Sequence, residues 1–471
     1  GTLYAALILS PVAHGELIGD GIDRDAILKE HGVVAVYTAK DIPGENNCGP
    51  IIHDDPFLAD GKVEFIGQAV AVVVARDMLY AREVAHKAKV LVKELTPVLT
   101  IEEAMAASSF IMPPKGITRG DAAGAIAKAP HTIKGTTRTG QQEQFYLEGQ
   151  ITYAVPKEDG QLTLYVSTQH PDGNQREAAH ALNLHTNDVE VICRRMGGGF
   201  GGKETQAAMP ACIAALFARR TGRPVRCRLQ RKTDMLVTGK RHPFSSDYSA
   251  AFDAEGRILG AELVLAADCG CSADLSMGIV DRAVQHADNA YYMPNVAIRG
   301  LPCRTNKVSN TAFRGFGAPQ GMLTTDAMLD DIARAVGRDP LDVRLLNLYG
   351  PGRATTPYGQ EIEHHVLPDL LAQLEASADY RKRRSAIATF NADSPVMRKG
   401  LALTPVKFGI SFTTTHLNQA GAQVAIYTDG SIHLIDTAAK VELKFLKAHE
   451  AAVFAIATNP RREQHYSADA E

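Results

Sequence analysis

Ten residues constrain this chain more than any others: Arg195-Met196-Gly197-Gly198-Gly199-Phe200-Gly201-Gly202-Lys203-Glu204. Five of the six positions from 197 to 202 are glycine. Glycine has no Cβ and enters the left-handed region cheaply. Such a backbone can press against a ligand and line an anion-binding concavity with N–H groups, and a helix starting just beyond adds positive potential. Gly197, Gly202 and Lys203 fit a phosphate-binding loop, which then calls for Ser or Thr to hold Mg²⁺. Glu204 stands there instead. An acid where a nucleotide phosphate would arrive argues against an NTPase.

Bulk properties exclude several classes. With 471 residues the chain can build several domains, and its net charge of -3 offers no basic surface for nucleic acid. No apolar run is long enough to span a bilayer. The opening Gly1-Thr2-Leu3-Tyr4 shows neither the basic segment nor the cleavage site of a secretion signal. The seven cysteines form no CxxC pair for zinc and no ferredoxin-type run. Reduced thiols in a cytoplasmic protein are the expectation.

Periodicity places the elements. Residues 1–103 read as a small α/β unit. Val33–Thr38 and Gln68–Ala75 are strands, Asp77 caps a helix, and Val90-Leu91-Val92 resumes a strand, a βαβ-type order. Residues 104–135 are rich in Ala, Gly, Pro and Ser and read as a linker. From 136 to 390 strands and helices mix: strands at Gln161–Ser167, Val189–Ile192 and Leu259–Ala267, and helices at Thr205–Arg219, Met322–Val336 and Leu367–Ala378. Residues 391–434 end in a hairpin, Gln423–Leu434, turning at Asp429-Gly430. Beyond it, 435–471 read as an atypical tail, helical over Ala438–Ala457 and polar and disordered over Arg461–Glu471.

Four further stretches carry chemistry-bearing residues. They are Ser167-Thr168-Gln169-His170 at a strand end, Asp281-Arg282 with His286-Ala287-Asp288-Asn289, a second glycine–aromatic loop Asn310-Thr311-Ala312-Phe313-Arg314-Gly315-Phe316-Gly317, and Ser411-Phe412-Thr413 leading to Leu417-Asn418-Gln419-Ala420-Gly421. Each also has a plain reading. Gln169 is a solvated loop residue, Asp281–Arg282 a surface ion pair of little worth, and Phe316 and Phe412 core.

Taken together, these five motifs resemble the molybdopterin-binding subunit of the xanthine dehydrogenase and aldehyde oxidase family of molybdenum hydroxylases. The resemblance covers residues 1 to about 434. It implies an α+β, mixed α/β chain: an a/b hammerhead domain, a first molybdopterin-binding domain and an incomplete second one. It further implies a molybdenum–molybdopterin cofactor. Gln169 would lie beside the metal and bond to its oxo ligand, with no side chain ligating the metal directly. Gly199, Phe200, Gly201 and Arg314 would bind the cofactor. Phe316 and Phe412, with Thr413 beside them, would sandwich a flat heterocycle. Glu204 and Arg282 would act in catalysis by holding the substrate's polar edges. In this family aldehyde oxidases tend to carry apolar residues at those two positions, which puts this chain on the purine side.

The implied reaction is hydroxylation of xanthine or hypoxanthine at a ring carbon, with oxygen from water. Electrons would leave through Fe-S and FAD centres on a partner subunit, making a hetero-oligomer. Two departures stand against it. After a Thr-Asp-Gly-Ser strand the family continues His-Gly-Gly-Thr-Glu-Met-Gly-Gln-Gly, where this chain reads Ile435-Asp436-Thr437-Ala438-Ala439-Lys440. The family's later Gly-Glu motif, whose Glu is the general base, has no counterpart, since Gly15-Glu16 and Gly44-Glu45 both lie in the first domain. The expectation is a chain truncated at its carboxyl end and unable to hydroxylate xanthine alone. The alternatives are an inactive homologue acting as a binding or assembly protein, or an aldehyde-oxidising relative.

Overall fold

The structure is a computed structural model that describes residues 1–409, Thr413 and five later segments, 422–428, 431–436, 441–447, 453–459 and 464–469. The chain divides into two units, Gly1–Gly409 and Ile410–Glu471.

The first unit is organised by two sheets. The larger has seven strands in the order Val189–Ile192, Leu162–Val166, Ile151–Pro156, Val225–Arg228, Leu3–Leu9, Ala69–Ala75 and Val33–Thr38. Leu3–Leu9 pairs in parallel with Val225–Arg228, so strands from the first hundred residues and from the next region share one sheet. Ala69–Ala75 is buried at every position, as its unbroken apolar run requires. One face is covered by the helix Ala208–Thr221, buried from Ala208 through Ala218 apart from Met209. Its Phe217 ring stacks on Tyr37 at 4.4 Å and 6°. Gly222 ends the helix in the left-handed region, φ 62°.

The second sheet has five strands, Lys115–Arg119, Val296–Arg304, Ile258–Gly270, Phe244–Phe252 and His131–Thr139. The helices Ser276–His286 and Ala318–Ala335 pack against it and each other. A third, small sheet joins Lys62–Val63, Gly15–Ile22 and Val90–Glu94.

Several expectations are corrected. Residues 104–135 are not a linker. They contain the edge strand Lys115–Arg119, the helix Ala122–Lys128 and the start of His131–Thr139. Their small residues serve close packing: a Cβ on Gly116 would meet the Ile298 carbonyl oxygen at 2.4 Å, and one on Gly260 would meet the Ala125 Cβ at 2.7 Å. The order strand, helix, strand at 68–92 is not a βαβ unit, because Val90–Glu94 pairs antiparallel with Gly15–Ile22 in another sheet. Its alternation of half-buried and exposed residues suits an antiparallel strand with one wet face. The βαβ unit is instead Leu162–Val166, helix Pro171–Ala181 and Val189–Ile192, whose strands are parallel.

In the second unit Ala422–Ile426 pairs with Ser431–Asp436 as the expected hairpin, and Asp429-Gly430 lie outside the described residues. Within the run 438–457 the described residues are strands, not a helix. Val441–Lys447 joins that hairpin as a third strand, and Val453–Asn459 pairs with Gln464–Asp469, which also replaces the expected disordered tail with a strand. The alternation of Val441, Leu443 and Phe445 with Glu442 and Lys444 has the period of a strand. Among the described residues no helix is long and apolar enough to cross a membrane.

Phe217, on a helix of the second region, packs its ring on Tyr37 in a strand of the first. Phe217→Ala should lower stability by about 3–5 kcal/mol, read as a shifted urea midpoint. A loss under about 1 kcal/mol would show that this contact does not tie the two regions together.

Candidate functional site

The glycine loop leaves the strand Val189–Ile192 and ends one turn before the helix Ala208–Thr221. Two glycines are required by contact. A Cβ on Gly199 would sit 2.4 Å from Gln169 Oε1. Gly201 has φ 98°, and a Cβ there would meet the Ala312 carbonyl oxygen at 2.6 Å. Phe200 and Phe316 also lie in the left-handed region, φ 55° and 50°, where side chains rarely go. The two glycine–aromatic loops are tied together by Arg314 N–H donating to the Phe200 carbonyl at 3.0 Å.

Gln169 stands just beyond the strand Leu162–Val166 and faces the same loop. Its Oε1 accepts from Gly201 N at 2.9 Å and Lys203 N at 3.3 Å, and its backbone N donates to the Lys203 carbonyl at 2.9 Å. The amide is thereby oriented, and its Nε2 has no hydrogen-bond partner among the described residues. The structure thus brings together Gln169, Gly199, Phe200, Gly201 and Arg314, whose own side chain is exposed.

Lys203 is not available to a phosphate. It is fully buried, with Nζ donating to the Glu148 carbonyl at 2.8 Å and Ser167 Oγ at 2.8 Å, and lying 3.3 Å from Glu148 Oε2. Glu148 also accepts from Gly197 N at 2.8 Å and Ser167 Oγ at 2.5 Å. Burial would raise its pKa, but these donors and the Lys203 charge outweigh that and hold it low. Sequence reasoning missed Glu148, because nothing local marks a carboxylate that closes a loop some 49 residues away.

The residues expected to grip a substrate are partly assembled. Glu204 is half-buried, and its pKa is pushed up to about 7, first by burial and then by the negative charge of Asp274. Arg282 lies in the helix Ser276–His286 and is buried. It is not an ion-pair partner of Asp281, which instead sits 3.9 Å from Lys115. Its Nη1 donates to the Gly409 carbonyl at 2.8 Å, and its guanidinium carbon lies 5.7 Å from the Phe316 ring centre and 5.4 Å from that of Phe408. Phe412 lies outside the described residues, as does Leu417–Gly421, and Thr413 belongs to the second unit.

Phe408 was not anticipated. The charged stretch 286–289 shows why it is held. His286 Nδ1 donates to the Arg282 carbonyl at 2.9 Å, and its Nε2 accepts from Gly409 N at 2.9 Å. That tautomer is neutral, and burial pushes its pKa down to about 4. Asp288 meets Lys407 Nζ at 2.5 Å, and Asn289 Nδ2 donates to the Pro405 carbonyl at 3.0 Å. Residues 405–409 are therefore strapped along this helix. Among the described residues no group of three or more His, Cys, Asp or Glu could hold a metal. A metal group would have to bring its own ligands, and the glycine cradle with the Gln169 amide suits such a bulky anionic cofactor.

Comparison with known proteins follows the same outline. The model of the aldehyde oxidase and xanthine dehydrogenase a/b hammerhead domain matches residues 1–96. Molybdopterin cofactor-binding domain models match residues 106–348 and 373–441. The chain is 42% identical over 433 residues to the xanthine dehydrogenase/oxidase of Gallus gallus, covering 92% of this chain and 32% of that protein. It is 40% identical over 441 residues to a nicotinate hydroxylase of Emericella nidulans, with the same two coverages. The chain thus spans about a third of the length of these relatives. Its fold matches an aldehyde oxidoreductase from Desulfovibrio gigas with TM-score 0.76 and 29% identity, covering 84% of this chain and 44% of that one.

Two outcomes are expected from the site's geometry. Lys203→Ala should cost about 3 kcal/mol in urea unfolding, because buried acceptors lose their donor. A loop lysine poised for phosphate would cost little. For Glu204, the folded protein keeps a proton that the unfolded chain releases above about 4.5, so its contribution is present below that pH and is lost as pH rises through about 7. Glu204→Gln should therefore flatten the fall in stability between pH 5 and pH 8. Identical slopes in parent and variant would contradict the raised pKa.

Proposed function

Because this chain belongs to the aldehyde oxidase and xanthine dehydrogenase family of molybdopterin-binding proteins, we propose that it forms the substrate-gripping part of a molybdenum hydroxylase acting on a flat purine such as xanthine or hypoxanthine. The carrying observation is the buried Arg282 guanidinium set against the Phe316 ring, in a site whose Glu204 is half-neutral near pH 7.

When bound, the molybdenum–pterin group supplies the two-electron redox chemistry and the oxygen derived from water. Gly199, Phe200, Gly201, Arg314 and the Gln169 amide are the residues proposed to hold it. The remaining work falls to the side chains. Phe316, with Phe412 proposed opposite, stacks on the ring and excludes water. Hydroxylation pushes negative charge onto the heterocycle and its carbonyl oxygens. Arg282, fixed by the Gly409 carbonyl, stabilises that charge as it develops. Neutral Glu204 donates its proton to a ring nitrogen or oxygen on another edge and favours one tautomer. Electrons are proposed to leave through Fe-S and FAD centres outside this chain, in a hetero-oligomer.

An aldehyde substrate is the competing reading, suggested by the likeness to the Desulfovibrio gigas aldehyde oxidoreductase. Aldehydes lack the heterocycle's carbonyl oxygens that Arg282 would serve. Arg282→Met in the complete enzyme should thus lower kcat/KM for xanthine by about 100-fold or more, on the scale of one lost transition-state donor, and change aldehyde turnover far less. Equal losses on both substrates would overturn the purine assignment.

A further inference from the structure

Asp274 is 2% exposed and lies just before the helix Ser276–His286 that carries Arg282. Its backbone is left-handed, φ 40°. Four donors converge on its carboxylate. Oδ2 accepts from Thr205 Oγ1 at 2.7 Å and Gln206 Nε2 at 2.8 Å. Oδ1 accepts from Thr311 Oγ1 at 2.7 Å and Leu275 N at 2.6 Å. Those donors come from three places. Thr205 and Gln206 directly follow Glu204. Thr311 lies in the second loop, ahead of Arg314 and Phe316. Leu275 opens the Arg282 helix. The Thr205 and Thr311 hydroxyls are also 3.2 Å apart. Gln206 reaches onward, its Oε1 accepting from Gly239 N at 2.7 Å.

We propose that Asp274 is a positioning residue of the substrate clamp: it ties the Glu204 segment, the Phe316 loop and the Arg282 helix to one buried carboxylate and acts on Glu204 through its negative charge. The proposal rests on reading Glu204 and Arg282 as the groups that hold substrate.

The surrounding charges support it. Asp274 contributes to raising Glu204, and it also raises Asp55, which burial first pushes up to about 7. Asp54 on the same loop accepts from Ala273 N at 3.0 Å. His242, whose Nε2 is 2.8 Å from Ser276 Oγ, is kept neutral because burial drives its pKa down to about 3. Glu204, Asp54, Asp55 and His242 thus approach from the packed elements, and none supplies a positive charge near neutrality. Burial raises the Asp274 pKa, while its hydroxyl, amide and backbone donors oppose the shift. An acid facing this point keeps its proton to higher pH than it would alone.

The test uses Asp274→Asn, which keeps the size and removes the charge. The Glu204 carboxyl is identified by infrared or carbon-13 signals that vanish in Glu204→Gln, and titrated in the full chain without substrate. Its midpoint should fall by about one unit in Asp274→Asn, as expected for loss of a nearby like charge. Hydrogen exchange should quicken at least tenfold in residues 197–206 and 309–317 while the helix Ala208–Thr221 keeps its protection. An unmoved Glu204 midpoint, or unchanged exchange in both loops, overturns the proposal. If the Asn variant does not fold, Thr205→Val and Thr311→Val carry the test. Faster exchange confined to the two loops supports the proposal, and unchanged exchange sinks it. Neither readout needs turnover, so an Arg282→Met result that removed the purine reading would leave these outcomes legible.

Discussion

The site depends on how closely two glycine–aromatic loops approach one another. Gly201 lies against the Ala312 carbonyl with no room for a Cβ, and Arg314 N–H closes onto the Phe200 carbonyl at 3.0 Å. That approach forces Phe200 and Phe316 into left-handed backbone, a strain of about 1–3 kcal/mol at each. Local sequence does not relieve it. The compensation is distributed: Gln169 Oε1 takes two loop N–H groups, Glu148 takes a third, and buried Lys203 anchors Glu148 from beneath. A loop held by side chains from distant segments is rigid before any ligand arrives. Ordering entropy is then lost on folding and not on binding.

This arrangement also explains why the run resembles a phosphate loop without being one. The lysine that would reach a phosphate is turned inward, and position 204 carries an acid whose neutral form is favoured. The loop keeps the backbone geometry of an anion cradle and gives its side chains other tasks. Its glycine backbone and the Gln169 amide suit a group that brings its own charge and metal.

What could be read from sequence was what is local. The glycine runs, the caps at Asp77 and Gly222, the buried strand at 69–75 and the five family motifs announce themselves within a few residues. Residues whose meaning comes from partners far along the chain stayed hidden. Glu148, Asp274 and Phe408 look ordinary until the fold sets them beside Gly197, Thr311 and Arg282. Composition misled once. The Ala- and Gly-rich stretch 104–135 is small-residued because its strand and helix pack closely on the second sheet, not because it is loose. The helical expectation over 438–457 missed the period of two at 441–445.

The two polar groups proposed to grip the substrate respond differently to one cause, burial. For Glu204 burial disfavours the anion, and Asp274 adds to the effect, so the acid becomes a proton donor near neutral pH. For Arg282 burial also disfavours the charged form and lowers its pKa, but a guanidinium starts so high that it stays cationic. Burial therefore leaves one acid that is half-protonated near pH 7 and one retained cation, and under the proposed reading the two serve different edges of a flat ring gaining negative charge. Under the proposed reading, selectivity for a polar heterocycle over an uncharged aldehyde follows from that asymmetry, with burial raising the Glu204 pKa to about 7 while Arg282 stays charged.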